Sequence, residues 1–516
     1  MRIRRFFRLV LILVGIIVLL VGVAIGLIHT PTAKRLVFAQ IQTIINNQGL
    51  ALDAVDFDYN LLALRISSAK VSLRSASASE LLSVFTADYL MAQIDLFELL
   101  DGRYRVKEAI ITNPKVQIVV DEQGRSNIPG SNTSTGEAID WLILKLRSTG
   151  GSLSFEDRSQ NVFVNLPAWN LSIDGTQLTG TQNIQFQTQE VAEVRYAGKA
   201  LNVQTIDTHL TLKDRNETLV VARVSISTDI ADLAISGTVT NLNDPSLDLA
   251  ATGKIQLEPA SHYLSIAQKL VGDLNVDASL KGRPNELKVT GRIKGENLTA
   301  ELIDRITVDV DVACDVAAGR AQLNSFLVRS PNMSVSGTAD LALAANAGES
   351  RIDARLDTAD LEKISKILKL PVAVASRATG DARVRWAGLD FNNGFDGNAR
   401  LQFAAQRENT NLRRIPLMGA VAVRADSNKA VASIDSLAAG PLHLRGQLSL
   451  TPSKQLSGAV RLEASDTGDA LRQAATWFGT TPVGLEILGA AGVDANLAGT
   501  LDPHACSQLF KRMISG

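Results

Sequence analysis

Asp309, Asp311 and Asp315 lie close enough in the chain to suggest a calcium site, the cation that clustered carboxylates suit. They alternate at period two with Val308, Val310, Val312, Cys314 and Val316, without the loop glycine and distal glutamate of an EF-hand. That spacing reads as the wet face of a strand. Cys314 shares its side with four valines and reads as a small buried hydrophobe rather than a reactive thiol. With Cys506 as the only other cysteine, no disulfide framework and no thiolate zinc site is expected. His29, His209, His262, His443 and His504 are scattered without a metal-type pair. Gly198-Lys199 and Gly253-Lys254 are followed by Ala200 and Ile255, so neither is a phosphate loop. With no nucleophile elbow or dinucleotide fingerprint either, the sequence is expected to be no enzyme and to carry no cofactor.

Composition narrows the classes further. Fifty-two basic residues against 53 acidic ones give a net charge of -1, which argues against a nucleic-acid partner. The 46% hydrophobic content argues against intrinsic disorder. A chain of 516 residues has room for several domains or one long array.

Residues 9–28 form an uncharged apolar run, LVLILVGIIVLLVGVAIGLI. Twenty helical residues span roughly 30 Å, the hydrocarbon thickness of a bilayer. Arg2, Arg4, Arg5 and Arg8 precede it, and the next charge is Lys34. The positive-inside rule then makes 1–8 a cytoplasmic basic tail, 9–28 a single-pass signal anchor, and the rest extracytoplasmic. His29-Thr30-Pro31 is a poor cleavage site, so the anchor is expected to stay. In 30–49, Thr30-Pro31 reads as a helix start, with Val37, Ile41, Ile44 and Ile45 as the apolar stripe of an amphipathic helix and Gly49 as its end.

Beyond residue 50 the period is two. Leu274, Val276, Ala278 and Leu280 alternate with polar residues, as do Met333, Val335, Gly337, Ala339, Leu341 and Leu343, and Leu442, Leu444, Gly446, Leu448 and Leu450. Clean alternation predicts antiparallel strands with one dry face and one wet face. Helical stretches interrupt the strands near 259–270, 359–370 and 468–478, each followed by a glycine-led strand. The spacing predicts units of several strands plus a short helix, stacked as an array over 137–500. Residues 50–122 form a separate β block, and 123–136, rich in Gly, Ser, Asn and Thr, reads as a linker.

The stretch from Leu99-Leu100-Asp101-Gly102 through Val106–Ile111, Asn113-Pro114, Val116–Val120 and Gly124-Arg125-Ser126-Asn127 resembles the amino-terminal signature of the AsmA-like superfamily, in particular its TamB-type members. The anchor before it, and Gly150 to Asp157 after it, fit that resemblance. So do the pieces Arg329 to Gly337 and Asp494 to Asp502. The resemblance implies a mainly β fold: a membrane-anchored, elongated repeating β-groove, an open twisted antiparallel sheet with short helices between units. It implies an inner-membrane protein, mostly periplasmic, that carries phospholipids between inner and outer membranes and supports outer-membrane biogenesis. A TamA-type outer-membrane barrel is the implied partner.

Residues 501–516, DPHACSQLFKRMISG after Leu501, depart from that pattern and read as an atypical, truncated tail. On the groove reading Leu274, Val276, Val308, Val310, Val312, Val335, Leu341, Leu442, Leu444 and Leu448 face lipid. An open face of that size would expose several thousand Å² of apolar surface, against ~300–600 Å² for the largest patch of a typical monomer. Lipid tails would cover it, or a sandwich would close on itself. The competing role is a periplasmic scaffold that assembles or translocates outer-membrane barrel proteins by adding their strands to an exposed edge.

Overall fold

The computed structural model describes residues 30–47, 50–60, 63–75, 83–94, 104–128, 141–176, 180–196, 198–213, 217–242, 244–266, 268–301, 303–344, 347–367, 370, 372–388, 394–406, 414–478 and 489–500. The protein is mainly β, with few helices. It divides into two units, Met1–Leu249 and Ala250–Gly516. The apolar run 9–28, its four arginines and the tail 501–516 lie outside the described residues. Among the described residues no helix is long and apolar enough to cross a membrane.

The first unit opens with the helix Pro31–Asn47. Thr30 caps it: its Oγ1 accepts the Ala33 N–H at 3.4 Å, and proline sits at the first helical position. The helix lies on the strand Leu50–Asn60. Phe38 stacks on Phe57 with ring centroids 5.1 Å apart, Lys34 pairs with Asp58, and the Gln42 side chain donates to the Leu52 carbonyl at 2.9 Å. Ile41 and Ile45 are half-buried, as expected of the apolar stripe, but Val37 is exposed together with Leu36. Phe38 takes the inward place because the helix meets the strand through an aromatic pair.

Strands Leu50–Asn60, Arg65–Ser75, Phe85–Ile94 and Tyr104–Thr112 pair antiparallel in chain order. The next joints are parallel: Tyr104–Thr112 with Trp141–Ile143 and Lys145–Asp157, and Lys115–Val120 with Lys145–Asp157. The sheet is therefore mixed at this point, not purely antiparallel. Chain segments on either side of 123–136 share one ladder, so the β block at 50–122 does not end there, and the chain divides at Leu249 instead. The start of the expected linker is also firmly held. Asn127 is fully buried; its Oδ1 accepts the Val119 N–H at 2.9 Å and its Nδ2 donates to the Gln117 carbonyl at 2.7 Å. Antiparallel pairing resumes through Val162–Gly175, Lys199–Lys213, Thr218–Thr228 and Ala231–Thr240. Gln182–Thr188 and Ala192–Tyr196 fill one position in succession, between Val162–Gly175 and Lys199–Lys213.

In the second unit Asp273–Gly282, Lys288–Ala300, Ile303–Asp315, Arg320–Ser330, Met333–Ala342, Glu349–Asp360 and Ser376–Ala387 pair antiparallel in chain order. The ladder continues through Asp396–Ala405, Leu417–Asp426, Ala430–Ala439, Leu442–Leu450, Gln455–Ala464 and Ala491–Thr500. Short connections make this order the natural one for strands of about ten residues. The helix Leu257–Leu264 precedes this ladder, and Leu361–Ile367 and Thr467–Phe478 interrupt it, close to the expected positions. Each forms part of a connection between strands. In the last, Ala470, Ala475 and Trp477 are buried, and Trp477 and Gln473 lie over the turn at Gly440.

Candidate functional site

The strand register of the second unit aligns like with like over its whole width. One row of directly opposed residues reads Leu274, Gly295, Val308, Val328, Val335, Leu356, Gly380, Leu401, Val421, Ile434, Gly446, Val460 and Ala495. Two residues along each strand the next row reads Val276, Ile293, Val310, Phe326, Gly337, Ala354, Ala382, Ala399, Val423, Ala432, Leu448, Gly458 and Leu497. A third reads Ala278, Gly291, Val312, Leu323, Ala339, Ile352, Val384, Gly397, Ala425, Ala430, Leu450, Leu456 and Gly499. No polar side chain interrupts any of them. Rows two residues apart are separated by about 7 Å, so the three make an apolar band about 14 Å wide.

Of the ten residues expected to face lipid, seven fall in these three rows and three in neighbouring rows. Leu274, Val308 and Val335 fall in the first row, Val276, Val310 and Leu448 in the second, and Val312 in the third. Leu341 extends a fourth, shorter row with Leu280, Val289, Cys314 and Ala321. Leu444 and Leu442 lie in rows beyond the first, opposite Leu437 and Leu462, and Ala439 and Ala464. Val316 and Leu343, expected to continue their strands, lie outside them and are exposed, because the strands end in turns at Asp315 and Ala342.

Alignment survives because bulges correct the register. The pairing of Ile303–Asp315 with Arg320–Ser330 shifts between Asp311 and Val312, and that of Arg320–Ser330 with Met333–Ala342 shifts between Leu323 and Phe326. A bulge adds a residue to one strand; without it the following side chains would swap faces. Glycine supplies a second device. Gly446 and Gly458 have φ of +143° and +153°, and a Cβ on either would come within 2.3 Å and 2.1 Å of a carbonyl oxygen on the neighbouring strand. Only glycine lets the strands approach and turn this tightly.

The band is neither sealed nor bare. Leu274, Val276, Val308, Val310, Val312, Val328, Leu401 and Leu448 are half-buried, shielded by their neighbours along the rows. Full burial in these rows is confined to a few positions such as Gly295, Ala339 and Ile434. The sheet thus keeps an apolar face that a second sheet packed upon it would have buried.

Behind it the opposite face is charged and largely self-neutralised. Arg292 holds Asp309, Arg320 holds Asp340, and Arg385 holds Asp396. Asp353 lies between Arg351 and Arg383, with an Nε of each 2.6 Å away. Hydrogen bonding from Arg351, then from Arg383, holds the Asp353 carboxyl below its usual value, and Arg292 does the same for Asp309. The three aspartates considered for calcium do not converge. Asp309 is taken by Arg292, Asp311 is exposed, and Asp315 accepts the Ala318 N–H at 2.9 Å in the following turn. Burial pushes the Cys314 thiol up, as befits a half-buried apolar neighbour of Val289 and Ala321.

The first unit carries one comparable row: Tyr59, Ile66, Ala92, Ala109, Leu146, Ile173, Ile184, Leu210, Val221 and Gly237. Its neighbour is broken by hydroxyls: Ser68, Leu90, Ile111, Ser148, Leu171, Phe186, Thr208, Val224 and Ile235. Sequence reading missed this unit's rows, and in the second unit it passed over Ile293, Phe326, Leu401, Val421 and Val423. The signal is present in Arg400-Leu401-Gln402-Phe403, which alternates cleanly, and in the β-branched pair Val421 and Val423 two residues apart. The chain matches no protein-family model, no curated protein and no solved structure.

Proposed function

We propose that the apolar face of the second unit holds lipid acyl chains, and that the chain is an inner-membrane-anchored, mostly periplasmic AsmA-like protein of the TamB type. Its role on this reading is to shield phospholipid passing between inner and outer membranes, without catalysis, in support of outer-membrane biogenesis and alongside a TamA-type barrel. The observation that carries the reading is the set of three uninterrupted apolar rows over thirteen strands, left half-buried. Each methylene removed from water gains about 0.8 kcal/mol, and a continuous face offers that gain at every step along the sheet. A polar group in a row would interrupt it.

The test is photo-crosslinking in cells. A photoreactive residue at Val310 should capture phospholipid, identified by mass spectrometry of the adduct, whereas one at the exposed Asp311, on the opposite face, should not. Equal capture from both positions, or none from Val310, sinks the reading.

A second reading, a scaffold for outer-membrane barrel strands, rests on Ala491–Thr500. Among the described residues this strand pairs on one side only, and Val493 and Leu497 are exposed. An open apolar edge is a template for strand addition. It predicts capture of an unfolded barrel strand by lipid-free protein and no adduct at Val310.

A further inference from the structure

Among the described residues, the charged face of the second unit also carries cations without an ion pair, and three of them gather at one place. Arg400 and Arg424 lie on neighbouring strands, Asp396–Ala405 and Leu417–Asp426. The register sets Arg400 opposite Ala422 and Arg424 opposite Asn398, which makes the two arginines diagonal neighbours. Both are exposed, and neither has a carboxylate partner among the described residues. Asp381 stands opposite Arg400 on the other side but makes no ion pair with it. The turn after Arg424 brings in Lys429, whose nearest carboxylate in sequence, Asp426, is engaged by the backbone N–H groups of Asn428 and Lys429. Arg400, Arg424 and Lys429 line one cleft of about 620 Å³ together with Asn398, Ser433 and Gln447.

We propose that this cleft binds a phosphate group. Two guanidinium groups side by side present paired N–H donors that match phosphate oxygens, and the ammonium adds a third positive charge. The Ser433 hydroxyl and the amides of Asn398 and Gln447 supply neutral donors for the remaining oxygens. Asp381 at one end favours a ligand that enters from the Arg424–Lys429 side. The site lies on the face opposite the apolar rows, so it does not depend on the lipid reading. The phosphate belongs either to a lipid headgroup or to a free phosphate compound.

The full chain, purified in detergent micelles, is titrated calorimetrically with inorganic phosphate and with dihexanoyl phosphatidic acid kept below its own micelle concentration. Binding should weaken with added salt. The double variant Arg400→Gln/Arg424→Gln should lose at least about tenfold in affinity, the scale of one charge-assisted hydrogen bond. Arg292→Gln, which removes an arginine already paired with Asp309, should leave binding unchanged. The double variant should melt like the parent and Arg292→Gln within a few degrees of it, since these side chains are exposed. Tighter binding of the phosphatidic acid assigns the site to a headgroup; equal or weaker binding assigns it to free phosphate. Binding that the double variant leaves intact, or no binding of either probe at millimolar concentration, overturns the proposal.

Discussion

Arg292 and Asp309 clasp each other diagonally across two adjacent strands, with Nε and Nη2 2.7 Å and 2.5 Å from the two carboxylate oxygens. The residues that follow them in sequence, Ile293 and Val310, are directly opposed on the other face. The same two strands therefore present an ion pair to one side and an apolar pair to the other. The consequence is a sheet with ion pairs on one side and apolar rows on the other.

Acid should loosen the charged face first. Asp309 and Asp353 are ionised in both folded and unfolded states at neutral pH, and their folded values lie below the usual one of 3.8. Their pairing therefore contributes fully above the ordinary carboxylate range and is lost as pH falls below it, through the lowered folded values. Removing the partners in Arg351→Gln/Arg383→Gln should move the acid unfolding midpoint, followed by circular dichroism, to higher pH. At pH 7 the melting temperature should change by only a few degrees, because these pairs are largely exposed.

Val310→Glu and Ala339→Glu compare a half-buried with a fully buried position of the same apolar face. Val310 is half-buried, so its carboxylate can hydrate, and a loss of about 1–2 kcal/mol is expected in urea unfolding. Ala339 is 7% exposed and packs between Leu323 and Ile352, so a charge there should cost about 3–5 kcal/mol, the scale of an uncompensated buried charge. Equal large losses at both sites would show that the Val310 face is closed in solution.

Gly446→Ala should destabilise the second unit by about 1–3 kcal/mol, since the methyl meets the Ala459 carbonyl oxygen and φ is unsuited to an L side chain. Gly499→Ala, with nothing within 4 Å of the added methyl, should be close to neutral. Paired thermal melts check the contrast.

Asn127→Ala should cost about 1–3 kcal/mol, because it leaves the Val119 N–H and the Gln117 carbonyl without their buried partner. Hydrogen exchange should show faster exchange of the Val119 amide, with amides of the strand Leu442–Leu450 unchanged. Unaltered protection at Val119 would mean that the neighbouring turn, not this side chain, holds the segment.

Local rules make much of this readable from sequence. Side chains alternate across any strand with a period of two, so Leu274 and Val276, or Val308 and Val310, must share a face whatever lies beside them. Thr30-Pro31 marks a helix start because capping acts within one turn. What the sequence left undetermined is which residue stands beside which. Register depends on turns and bulges, such as the shift at Asp311–Val312, and on partners far along the chain. Only the tertiary structure lines Leu274 up with Val308, Val421 and Ala495 in one row, or sets Arg400 diagonally beside Arg424 with no carboxylate paired to either among the described residues. Composition made 123–136 a linker, yet Asn127 is buried, where three parallel strand pairings draw the chain on either side into one sheet. Alternation is a property of each strand alone; a continuous face is a property of the hydrogen bonds between strands, and those no single segment encodes.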